Sequence, residues 1–177
     1  MKKFLIEKGV ITIKKIVFSW ILVILWAGAI FFMSNMDTNE SNDKSKKTIN
    51  EIIEKSVETT NNWGITDKHP SNNKMKQVID KLNKPLRKVA HASEYLILTI
   101  LLIVALTNSG INGKKTYIIA LLICFLYACT DEYHQTFIKG RTGQFTDTLI
   151  DTFGGIIGLV IYMIKNRTRR NKNELSI

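Results

Sequence analysis

The sequence predicts an all-α membrane protein, a bundle of four transmembrane helices with a long polar first loop that carries short amphipathic helices. Three observations predict it. Apolar residues gather in four blocks long enough to cross a bilayer, although the chain as a whole is only 45% hydrophobic and its mean hydropathy is near zero. Most charges lie between the blocks or at the chain ends. No strand pattern or soluble-domain motif competes with the blocks.

The first block, IVFSWILVILWAGAIFFM, carries no charge and predicts a span over 16–36, with Lys14 and Lys15 before it. Ala27-Gly28-Ala29 imitates a signal-peptide cleavage site, but the apolar run continues through Met33, which favours an uncleaved span. Residues 37–87 are polar and lysine-rich and predict an extracytoplasmic loop. Within it, Ile49, Ile52, Ile53 and Val57 form one helical stripe, and Met75, Val78, Ile79 and Leu82 form another. Asn61-Asn62-Trp63-Gly64 and His69-Pro70-Ser71 predict turns between them. The second span is predicted over 89–107, the third over 116–135 after the turn NSGINGKK, and the fourth over 145–164. Residues 1–177 therefore form a single membrane domain.

Composition excludes some functions. The net charge of +10 could suggest nucleic acid, but no zinc-finger spacing, RNA-binding sheet motif or basic reading helix accompanies it, and no nucleic-acid partner is expected. Lysines flanking the spans explain the charge better. Lysine and arginine divide almost evenly between the two sides. Their density beside the spans, at Lys14-Lys15, Lys114-Lys115 and the C-terminus, favours cytoplasmic termini. Cys124 and Cys129, five apart, do not share a helical face and imply neither a disulfide nor a metal pair. Walker, dinucleotide-binding and nucleophile-elbow motifs are absent.

Up-and-down topology places the start of the second span, the end of the third and the start of the fourth on one membrane face. His91 and Glu94, Asp131 and His134, and Asp147 and Asp151 then form three polar pairs at one depth, with Lys88 and Arg141 at the rim. Ionisable groups within a bilayer cost about 2.5–3.5 kcal/mol each on insertion scales, and they usually pair or face a wet cavity. Glu94, Asp131, Glu132, Asp147 and Asp151 cannot all ionise side by side without nearby cations. The cluster fits interhelical packing, a pocket for a polar headgroup or cell-wall precursor, or acid–base catalysis by His91, Glu94, Asp131 and His134. Those four are also chemically suitable metal ligands, but without an HExxH spacing no metal and no cofactor is expected.

At these residues the chain resembles the VanZ-like family of bacterial membrane proteins. RKVAHASEYLIL (Arg87 to Leu98) and DEYHQTFIKGRTGQFTDTLIDTFGGIIG (Asp131 to Gly158) carry the resemblance. It rests on Lys88, His91, Glu94, Tyr95, Asp131, Glu132, His134, Gln135, Phe137, Gly140, Arg141, Asp147, Asp151 and Gly154 to Gly158. It departs from the family in its long, lysine-rich first loop. The candidate binding residues are Lys88, His91, Glu94, Tyr95, Asp131, Glu132, His134, Gln135, Arg141, Asp147 and Asp151, where the converging polar residues and the family pattern coincide; the resemblance itself does not choose among pocket, catalyst and scaffold. It implies a multi-pass protein of the bacterial cell membrane with an envelope role, since the namesake is associated with low-level resistance to the lipoglycopeptide teicoplanin. The expected partners are membrane lipid and a cell-wall precursor or lipoglycopeptide. A membrane enzyme modifying an envelope lipid or glycan and a non-catalytic accessory scaffold are the alternatives.

Overall fold

The computed structural model describes the backbone of residues 2–36, 38–62 and 72–174, and the side chains of 12–36, 41–59, 76–169 and 172. Five helices follow in order: α1 (Lys2–Ser34), α2 (Thr38–Asn62), α3 (Asn72–Asn108), α4 (Lys114–Gln135) and α5 (Phe145–Glu174). Four of them contain a stretch long and apolar enough to span a membrane: Thr12–Ser34, Lys76–Asn108, Lys114–Gln135 and Phe145–Arg169. A helix of 37 residues such as α3 is about 55 Å long, well beyond the ~30 Å hydrocarbon core, so one end must project from it.

That projection corrects the first-loop expectation. In place of a loop with short helices over 37–87, α2 is a 25-residue helix, and residues 72–88 are the first turns of α3 itself. Pro85 removes one helical hydrogen bond without ending the helix, because its fixed φ is compatible with the α conformation. A polar run broken by proline looks like a loop in sequence; here the two polar helices support each other. Ile49 is buried and Ile53 and Val57 half-buried, whereas Ile52 of the same predicted stripe points outward, as do Val78 and Leu82. Asn61 and Asn62 close α2, while the turn expected at His69-Pro70-Ser71 lies outside the described residues.

Polar contacts fix α2 against α3. The Asn42 side-chain Oδ1 accepts hydrogen bonds from Asn83 Nδ2 at 3.0 Å and Arg87 Nη1 at 3.1 Å. Farther out, Lys46 and Asp80 pair at 2.8 Å with both side chains about half exposed. Exposed pairs contribute little net stability, whereas the Asn42 amide serves two partly buried donors. Asn42→Ala should therefore release α2 to limited proteolysis much more than Asp80→Asn does.

The bundle core is built from small residues as much as large ones. Tyr95, Leu98, Leu102, Ile103 and Leu106 of α3 are buried with Val23 and Ile30 of α1 and the stripe Ala120, Cys124, Ala128 of α4. Gly154 and Gly158 of α5 lie directly on the α3 backbone, where a Cβ would strike Ala92 and Leu96. Gly155 meets Cys124 Sγ and Thr99 Oγ1, each 2.7 Å from where its Cβ would stand. Such approach is how helices associate in lipid, where apolar burial supplies no driving force. The larger apolar side chains, such as Phe18, Ile24, Phe32, Ile118, Phe153 and Ile164, point outward, as a lipid-facing surface requires. Both cysteines are free thiols.

The uncharged first helix is a structural member of this bundle. Trp26 Nε1 donates to the Glu94 carbonyl at 2.9 Å, and the Tyr127 hydroxyl donates to the Ala27 carbonyl at 2.6 Å. The small-residue segment around Ala27 thus works as a packing surface for α3 and α4.

Candidate functional site

The C-terminus of α1, the middle of α3, the C-terminus of α4 and the N-terminus of α5 meet at one end of the bundle. On α3, Lys84, Arg87, Lys88 and His91 follow the i, i+3, i+4, i+7 pattern and share one face. Opposite them, α4 supplies Glu132 and Gln135, and α5 supplies Asp147 and Asp151. The connection between α4 and α5 folds back over this gap. Ile138 accepts from the Arg141 backbone N–H at 3.1 Å, and Gly140 takes a φ of 78° that an L side chain rarely adopts. Together these residues enclose a cavity of ≈ 360 Å³.

Charge is layered within the cavity. At the mouth, Lys88 Nζ and Asp147 Oδ1 form an ion pair of 2.5 Å, with the lysine nearly half exposed. Deeper, Asp151 is 2% exposed and senses the His91 imidazole. Glu132 Oε2 accepts the Gln144 backbone N–H at 2.9 Å, which pins the connection to α4. Gly143 makes this closeness possible, since a Cβ there would strike the Glu132 carbonyl.

Two guanidinium groups line the same cavity without an acidic partner. Arg141 is 9% exposed, and its Nε and Nη1 have no hydrogen-bond partner from the protein. Arg87 gives Nη1 to Asn42, and its buried Nε is likewise unpartnered. Among the described residues no carboxylate pairs with either. Burial, and then repulsion from Arg87, lower the Arg141 pKa from its ordinary value, although the group stays charged at any working pH. An unsatisfied buried donor costs about 1–3 kcal/mol, more when charged. The site therefore holds cationic donors at a cost in stability.

Sequence-predicted residues fall into two groups. Lys88, His91, Glu132, Gln135, Arg141, Asp147 and Asp151 line the cavity; Glu94, Tyr95, Asp131 and His134 stand behind it. Glu94 Oε2 lies 3.3 Å from His91 Nδ1, close enough for an ion pair once the imidazole is protonated, although neither atom makes a hydrogen bond. Asp131 Oδ2 accepts from Ser34 Oγ at 2.8 Å and Gln135 Nε2 at 3.2 Å, tying α1 to α4. Tyr95 is buried beside Asp131, and the His134 ring stacks on Phe31 with centroids 4.5 Å apart. Ser34 and Asp131 are both nearly inaccessible. Ser34→Ala should accordingly lower stability by about 1–3 kcal/mol, measured by thermal unfolding in detergent, with no loss of cavity residues.

Three contributors escape the sequence-level cluster. Lys84 and Arg87 carry a signal that could have found them, the i, i+3, i+4, i+7 spacing they share with Lys88 and His91. Ser34 carries no local signal, since its partner lies 97 residues away. Ser93 turns its hydroxyl to the Ala90 carbonyl at 2.6 Å and does not face the cavity. Among the described residues no three His, Cys, Asp or Glu side chains form a group able to hold a metal.

A comparison with protein-family models matches residues 18–166, from the first span to the end of the fourth, to VanZ/LLP1. Neither the curated proteins nor the solved structures contain a match.

Proposed function

The chain belongs to the VanZ/LLP1 family, and from that premise we propose that its polar cavity binds the anionic headgroup of a cell-envelope component, contributing to low-level resistance to lipoglycopeptides such as teicoplanin. The observation that carries this reading is the pair of guanidiniums, Arg87 and Arg141, facing one cavity with buried donors that no carboxylate of its walls contacts directly. Planar guanidinium forks match phosphate and carboxylate oxygens, and an arriving anion would convert an unfavourable arrangement into charge-assisted hydrogen bonds. Lys84 at the mouth adds attraction over a longer range, while Lys88 is held by Asp147. In this proposal the protein sits in the bacterial cell membrane with both termini cytoplasmic and the cavity facing outward, where envelope precursors and the drug are found.

The test is lipoglycopeptide susceptibility of a sensitive Gram-positive host expressing wild type or Arg141→Gln at membrane levels matched by immunoblot. Protection by wild type alone supports the proposal. Equal protection by both would remove the cavity from the resistance function, and no protection by either would remove the resistance function itself.

One observation favours a second reading, a membrane enzyme acting on an envelope lipid or glycan. His91, backed by Glu94 and beside Asp151, supplies an imidazole–carboxylate set at the cavity wall, the usual equipment for acid–base work. That reading predicts a covalent change in envelope lipids on expression. A mass-spectrometric lipid and precursor profile identical to the empty-vector control would end it.

A further inference from the structure

The headgroup cavity has an apolar neighbour. A second cleft, ≈ 200 Å³, lies between the end of α4 and the start of α5. Cys129 and Thr148 form its floor, and Tyr133 and Phe145, about two-thirds exposed, form its outer lips. Glu132 and Gln144 line both spaces, so their 2.9 Å hydrogen bond is the partition between them. On one side of the partition stand the two guanidiniums that no carboxylate pairs. On the other, aromatic lips open toward the apolar surface where Leu126 and Leu149 face outward.

We infer that the ligand is a membrane lipid whose phosphate headgroup carries net negative charge and that enters sideways from the bilayer, with its headgroup at Arg87 and Arg141 and the first part of its hydrocarbon tail in the α4–α5 cleft. Phosphate suits two forks converging on one space, because its several oxygens accept from both at once, which a single carboxylate does less well. A lipid suits the pair of spaces, because only an amphiphile occupies a cationic cavity and an adjoining apolar cleft together. This inference rests on the proposed anion-binding role of the cavity.

Cys129 provides the readout, since it is half-buried on the cleft floor while Cys124 is fully buried and serves as the internal unreactive thiol. The full chain is placed in phosphatidylcholine nanodiscs with or without phosphatidic acid, and alkylation of Cys129 by N-ethylmaleimide is followed. Phosphatidic acid should slow alkylation by about tenfold, inorganic phosphate should not, and Arg141→Gln should abolish the slowing. Phosphatidic acid that is retained on the protein while Cys129 reacts at its original rate overturns the cleft but leaves the anion cavity standing. Equal slowing by inorganic phosphate also overturns the cleft. Failure to retain either phosphatidic acid or inorganic phosphate overturns both. Filling the cleft with Cys129→Phe should weaken phosphatidic acid retention and leave inorganic phosphate binding unchanged; equal loss of both contradicts the inference.

Discussion

Replacing Gly154 with alanine is expected to loosen the bundle and empty its site in one step. A Cβ at this position would meet the Ala92 carbonyl and stand 2.8 Å from the Ala92 Cα, so the α3 backbone itself must move. Overpacking of this kind costs about 1–3 kcal/mol, and here no flexible side chain is available to absorb it. The effect reaches the cavity because its two walls ride on these helices: Lys88 and His91 on α3, Asp147 and Asp151 on α5. The prediction is a lowered midpoint of thermal unfolding in detergent together with lost anion retention. Gly28 is the control. Nothing lies within 4 Å of a Cβ at that site, so Gly28→Ala should leave stability unchanged or slightly raised by the better helix propensity of alanine. Equal destabilisation by both substitutions would mean that close α3–α5 contact does not hold the bundle.

Arg141→Gln should move stability and binding in opposite directions. The guanidinium is buried, repelled by Arg87 and without a partner for Nε and Nη1. Its lowered pKa in the fold means that the charged form is worse off folded than unfolded. That cost is present at every pH below the folded value and is relieved only as pH rises through it, far above the working range. Glutamine removes the charge at all pH. The ligand-free variant should thus unfold at a higher temperature, with a gain of about 1 kcal/mol or more. Binding should fall, because one charge-assisted fork to an anion contributes about 1.5–3 kcal/mol, or roughly 10- to 100-fold in affinity. A residue that merely holds the connection between α4 and α5 in place would lower both quantities together. Thermal unfolding and anion-lipid retention measured on one preparation separate the two cases.

Much of this architecture is legible in the sequence because segregation of apolar residues is a direct consequence of the bilayer as solvent. Every backbone group of a span must be satisfied internally, so an uncharged block such as 16–33 has no reasonable state but a helix. The polar helices are less legible. α2 is stabilised by Asn42 reaching Asn83 and Arg87, which is a tertiary contact, and Pro85 writes a breaker signal into a helix that continues through it. The polar pairs at one membrane face follow from connectivity alone, and the fold brings them together as expected. Their division into a cavity wall and a supporting layer depends on rotation of each helix about its axis, which sequence spacing does not fix. His134, three residues from Asp131, stacks on Phe31 instead of facing the cavity, while Glu132 takes the cavity side. Arg141 lies in a short connection where burial leaves no periodic trace.

The central claim, that the cavity selects anionic membrane headgroups, is tested most directly by equilibrium retention of lipid on the purified wild-type protein. Phosphatidic acid and phosphatidylcholine of identical chains compete for the protein in a neutral detergent, and bound lipid is counted by native mass spectrometry across a salt series. Saturable preference for phosphatidic acid, weakening as salt rises and absent in the Arg87→Gln/Arg141→Gln double variant, is the predicted result. Equal retention of the two lipids by wild type at low salt would contradict it.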